Sequence, residues 1–104
     1  MPNDGEVYRK QADSWPPIYA ALKDDTGAVI DLTGASAIWE QRSVAGGAWS
    51  APQSVTIDSA VGGTCHVMPI TAVIGDFIGH FVVTQSGKVY TVPDDGYIIV
   101  HILE

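Results

Sequence analysis

The 104-residue chain is short of several things, and each shortage excludes something. It has one cysteine, Cys65, which rules out an internal disulfide and, standing alone, cannot build a thiolate metal cluster. Basic residues are few: five lysines and arginines face twelve aspartates and glutamates, a formal charge of −7. That charge repels phosphate backbones and anionic lipids, so neither nucleic acid nor a membrane is an expected partner. No apolar run approaches the roughly 20 residues that cross a bilayer. The opening MPNDGEVYRK lacks the basic-then-apolar order of a signal peptide, and synthesis in a cytosol is expected. No Gly-x-Ser-x-Gly, phosphate-binding loop or dinucleotide fingerprint occurs, and the expectation is a protein that is not an enzyme.

What is present is apolar and turn-rich. With 46% hydrophobic and only 16% charged residues the chain can close one core, so residues 1–104 read as a single domain. The final Leu103 and Glu104 resemble a remnant of cloning and carry no functional expectation. Apolar and polar residues alternate with a period of two in PPIYAALK, where Ile18, Ala20 and Leu22 share a face. In ASAIWEQRS the alternation sets Ala37, Trp39 and Gln41 against Ile38, Glu40 and Arg42. QSVTIDS, GTCHVMP, HFVVTQ and KVYTV add further short strands, and YIIVHI reads as a last strand buried on both faces. Between them lie turn signals: Asp-Thr-Gly at Gly27, a bend at Gly34, the Gly46-Gly47 pair, Ser86-Gly87 and PDDGY. In ITAVIGDFIG the apolar spacing allows a short turn of helix at most, since β-branched residues and Gly75 oppose one. About seven strands with turns every 8 to 12 residues predict an all-β, immunoglobulin-like antiparallel β-sandwich without the usual disulfide. Ile18, Ala20, Leu22, Trp39, Phe81 and Val83 are its expected inward residues.

Candidate chemistry meets blander readings. His66, His80 and His101 fall in three separate strands with no metal-ligand spacing, so each reads as a surface or satisfied sheet histidine. Cys65 and His66 are neighbours in one strand, and their side chains point to opposite faces, which prevents a nucleophile–base pair. The doublets Asp24-Asp25 and Asp94-Asp95 stand near glycine but do not follow the spaced D-x-D-x-D-G calcium loop; they read as turn formers. No metal or other cofactor is expected. Trp15, Trp39 and Trp49 could stack on sugar rings. Trp39 sits in mid-strand and reads as core, whereas Trp49, beside two glycines, is the tryptophan expected to be exposed.

Three ordered blocks carry a family resemblance: D-x-W-P-P-I at residues 13–18, D-x-x-G-x-x-I-D-L-T-G-A at 24–35, and P-D-D-G-Y-I-x-V at 93–100. Together they resemble the immunoglobulin-like domain at the N-terminus of phage baseplate upper proteins and in related phage and prophage tail proteins. The blocks begin and end the chain, so the resemblance covers nearly all of it. One departure is Ile78-Gly79-His80, where the resemblance leads to a longer aromatic strand after the glycine. The resemblance implies a non-enzymatic structural role in a virion, an assembly or attachment domain of the tail or baseplate made in the bacterial cytoplasm. The other reading is a β-sandwich module that binds carbohydrate or a host surface. Expected partners are other tail proteins or a second copy of the chain as a homo-oligomer. The closing strand is rich in β-branched residues and short of edge-blocking lysines, so Ile98, Val100 and Ile102, with the loop around Trp49, are the expected contacts.

Overall fold

The computed structural model describes residues 5–15, 17–24, 26–92 and 98–104. Pro16, Asp25 and residues 93–97, which hold the Asp94-Asp95 doublet, Gly96 and Tyr97, lie outside the described residues. Among the described residues there are nine strands: β1 Gly5–Lys10, β2 Ile18–Ala21, β3 Ser36–Ser43, β4 Gln53–Ser54, β5 Thr56–Ser59, β6 Thr64–Val67, β7 Gly75–Gln85, β8 Lys88–Val92 and β9 Ile98–Leu103. The larger sheet runs β1-β9-β7-β3-β4, with β8 also on β7; the smaller runs β2-β6-β5. Taken in chain order, β2-β6-β5 facing β4-β3-β7-β8/β9 is consistent with the B-E-D and C′-C-F-G layers of an immunoglobulin-type sandwich.

Several expectations need correction. The larger sheet is mixed rather than antiparallel throughout, because β1 pairs with β9 in parallel, from Gly5↔Ile98 to Lys10↔Leu103. GEVYRK carries no apolar alternation that marks it as a strand in sequence. QSVTIDS is not one strand: it breaks at Val55, so that β4 pairs with β3 in the large sheet while β5 pairs with β6 in the small one. β7 begins at Gly75 rather than near His80, and ITAVIGDFIG is therefore half loop and half strand. Of the residues spaced by three and four, Val73 and Ile74 are exposed in the loop and Phe77 packs against the core from the strand. After Gly27 the chain folds back beside the end of β2 through the bridge Lys23↔Val29, flanked by Asp24 N–H to Ala28 O and Ile30 N–H to Leu22 O, both at 2.9 Å.

The stretch between β2 and β3 contains the same turn twice, as Asp24-x-Thr26-Gly27 and Asp31-x-Thr33-Gly34. In each, the aspartate Oδ1 accepts the threonine N–H at 2.9 Å and its hydroxyl at 2.6 Å. Both glycines then take positive φ, 86° and 74°, which a Cβ would resist. These bonds hold both carboxyls below the usual aspartate range, the threonine hydroxyl being the largest cause. The β7–β8 hairpin closes on Ser86 and Gly87, both at positive φ, as a two-residue turn of this kind requires.

The inner faces interdigitate around Ile18, Leu22, Leu32, Trp39, Cys65, Val67, Phe81, Val83, Val100 and Ile102. Of the expected inward residues, Ile18, Leu22, Trp39, Phe81 and Val83 are buried, and Ala20 is half-buried against them. Trp39 lies opposite Phe81 in the β3–β7 ladder, edge to face with ring centroids 5.1 Å apart. Its benzo ring crosses Gly79, where an added Cβ would come within 2.0 Å of Trp39 Cζ2. That explains the glycine at position 79: the indole occupies the space of a side chain.

Gly79→Ala is expected to destabilise the protein by about 3 kcal/mol, since neither the buried indole nor the paired backbone can yield freely. Urea unfolding measures this; a change below about 0.5 kcal/mol, the size of a neutral surface substitution, would contradict it.

Candidate functional site

Outward residues of the large sheet form the most chemically varied surface of the molecule. Strand alternation places Glu6, Tyr8 and Lys10 of β1, Ile99 and His101 of β9, Asp76, Ile78, His80 and Val82 of β7, and Ile38, Glu40 and Arg42 of β3 on this face. Two histidine-centred groups stand on it. In the first, His101 Nδ1 lies 2.8 Å from Asp76 Oδ1, and its Nε2 lies 3.2 Å from Glu6 Oε2. Tyr8 stacks on the imidazole at 4.5 Å and donates its hydroxyl to the same Glu6 oxygen at 2.9 Å. The hydrogen bond to Asp76 is the largest cause of a His101 pKa raised from its ordinary 6.5. The bond to Glu6 likewise raises the Tyr8 phenol.

In the second group His80 Nε2 lies 2.8 Å from Glu40 Oε1, its cross-strand partner. Trp49 packs on the His80 ring at 4.2 Å, and the Arg42 guanidinium lies 4.9 Å from the centre of the Trp49 ring. The loop after β3 thus folds back over the sheet. Trp49 is half-buried, which corrects the expectation that it is the exposed tryptophan; Trp15 is, at 70% exposure. The glycines at 46 and 47 allow the loop to bend inward as readily as outward, and the flat His80 and Arg42 surfaces decide the direction.

A third histidine lies on the outer face of the small sheet. His66 Nδ1 contacts both Asp58 oxygens, at 2.8 and 2.9 Å, with Tyr19 tilted over it at 5.4 Å. Cys65 points the other way, into the core, as alternation predicts. Burial pushes its thiol up to about 11.

The expected contact residues fare differently. Ile98, Val100 and Ile102 are buried at 6%, 0% and 1% exposure, and β9 lies between β1 and β7. Their side chains fill the core, so the reading of β9 as an uncovered edge is corrected: an apolar strand looks the same in sequence whether a neighbour covers it or not. Among the described residues no three His, Cys, Asp or Glu side chains gather as metal ligands. Sequence reasoning placed the histidines on strands but missed all their carboxylate partners, which lie 8 to 95 positions away. Only Asp58 and His66, on strands consecutive in the sequence, offered a local signal. No protein-family model matches the chain, and a search of curated proteins finds no relative.

With its thiol buried and its pKa high, Cys65 should resist a disulfide-exchange reagent at pH 8 in the folded protein and react at once in denaturant. Rapid labelling of the native protein would show that the sandwich opens at β6.

Proposed function

We propose that this chain is a non-enzymatic assembly module of a phage or prophage tail, an immunoglobulin-like domain that joins neighbouring virion proteins by adding strands to its sheet edge. One observation carries this reading. β8 and β9 pair with successive halves of the same side of β7, Phe81 to Gln85 and Gly75 to Gly79 respectively. β1 covers β9, but β8 pairs with β7 alone among the described residues. The sheet therefore ends in a step, with a five-residue strand presenting unpaired backbone groups. Lys88 at one end is its only lysine, and Val89 is exposed at 66%. Edges left open in this way accept extended segments of other chains. The ordered sequence blocks resembling tail and baseplate domains supply the context.

A carbohydrate- or host-binding module is the second reading, and the observation that favours it is Trp15, exposed at 70% in the β1–β2 connection. Glycan-array binding that is lost on Trp15→Ala would replace the first reading with the second.

The hairpin geometry makes the strand-addition reading testable. Gln85 and Lys88 flank the two-residue turn and form a hydrogen-bonded pair, so the N–H groups of Val89 and Thr91 point away from β7. Val89→Pro should therefore leave the fold intact and abolish capture of neighbouring tail proteins in pull-downs, and also any concentration-dependent light scattering. Undiminished association in a folded Val89→Pro variant would remove β8 as the contact.

A further inference from the structure

β1 joins the sheet edge through its ladder with β9 and through a side-chain group that reaches across β9 to β7, and that group contains a proton that the geometry demands. Neutral imidazole carries a single N–H, so it can donate to only one of two acceptors. His101 faces a carboxylate oxygen with each ring nitrogen, Asp76 of β7 on one side and Glu6 of β1 on the other. If either nitrogen were bare, its lone pair would meet a carboxylate lone pair at about hydrogen-bond distance. Both contacts are attractive only in the imidazolium. One proton on a β9 side chain thus ties the edge strand β1 to the central strand β7.

Other groups around the ring do not substitute for that proton. Tyr8, stacked on it, is a donor already committed to Glu6, and its raised pKa keeps it neutral through the range in which histidine titrates. Lys10 lies further along β1, opposite Leu103. From β3, Arg42 lies opposite Ile78 and turns its guanidinium to Trp49. The neighbours of His101 on β9, Ile99 and Leu103, are apolar. Elsewhere on β1, Val7 packs against the core and Arg9 donates to Pro17 O at 3.1 Å, and neither contact depends on the charge of His101.

We propose that Glu6, His101 and Asp76 form a proton-operated latch that clasps β1 onto the large sheet and weakens when His101 loses its second proton, freeing the edge of β9 for an incoming strand. The sign follows from linkage. A histidine favoured as imidazolium in the folded state stabilises fully below its ordinary value of 6.5 and ceases to do so as pH rises through its higher folded value. The latch is thus closed in mildly acidic solution and opens toward alkaline pH. This holds whatever the chain assembles with.

Hydrogen exchange on the intact chain tests it, with rates corrected for the intrinsic pH dependence of exchange. Protection of the β1 amides that pair with β9 should fall severalfold as pH rises through the His101 titration, while β3 and β7 amides keep theirs. His101→Gln should make β1 protection low and independent of pH, and Glu6→Gln should lower the His101 titration point seen by NMR. The Glu6 side chain is half exposed, so Glu6→Gln remains informative if the His101 variant folds poorly. Protection of β1 that does not respond to pH in the native chain, or a His101 titration unmoved by Glu6→Gln, would overturn the latch.

Discussion

A tryptophan in the middle of a sandwich sets two demands, room for a bicyclic ring and an acceptor for its N–H, and most of this fold can be traced to how Trp39 meets them. Room comes from Gly79, over which the indole lies. The acceptor is Gln41, two residues along β3 and hence on the same inward face: Trp39 Nε1 donates to Gln41 Oε1 at 3.1 Å. A buried indole N–H without a partner would cost about 1–3 kcal/mol, so the glutamine is not optional.

Gln41 has an amide of its own to satisfy, and it does so by behaving like a further peptide unit. Its Oε1 also accepts Ile70 N–H at 3.1 Å, and its Nε2 donates to Ile70 O at 2.9 Å. Ser50 closes the strand side, with Ser50 N–H donating to Gln41 O and Gln41 N–H to Ser50 Oγ. Thus one polar side chain inside the core pins both the loop before β7 and the loop that carries Trp49. From Ile70 the chain continues to Thr71, whose carbonyl accepts Ala12 N–H and whose hydroxyl donates to Asp13 O. The connection leaving β1 is anchored on the same loop, and the end of the sandwich that shows Trp15, Val73, Ile74 and Leu103 is organised from the tryptophan outward.

These relations differ in how far a sequence reveals them. Alternation depends on neighbours two apart, so β2, β3 and the β7–β8 hairpin were legible, and the inward choice of Ala37, Trp39 and Gln41 followed. Gln41 itself, polar on an apolar face, was a visible sign of a buried partner. β1 was not legible, because GEVYRK offers only Val7 to the core and owes its strand form to the ladder supplied by β9. The break at Val55 was hidden for a related reason: β4 and β5 continue one alternation while changing sheets. The D-x-T-G turns were partly read, as turns but not as a repeated motif, although the spacing of aspartate, threonine and glycine was there. The histidine groups were the least legible, since Glu6 and His101 meet only after the first and last strands pair.

That pairing bears on the charge of the molecule. With twelve acidic residues and five basic ones, most carboxylates cannot find a lysine or arginine, and each of the three histidines stands beside one or two of them. A lysine in place of His101 would supply a permanent charge on a long, flexible stem. An imidazole instead supplies a flat donor fixed at both nitrogens, and one on which Tyr8 can stack. The rigidity of the β1 edge and its sensitivity to protons therefore have the same origin, and the edge of β8, which has no such group beside it among the described residues, remains open whatever the protonation of His101.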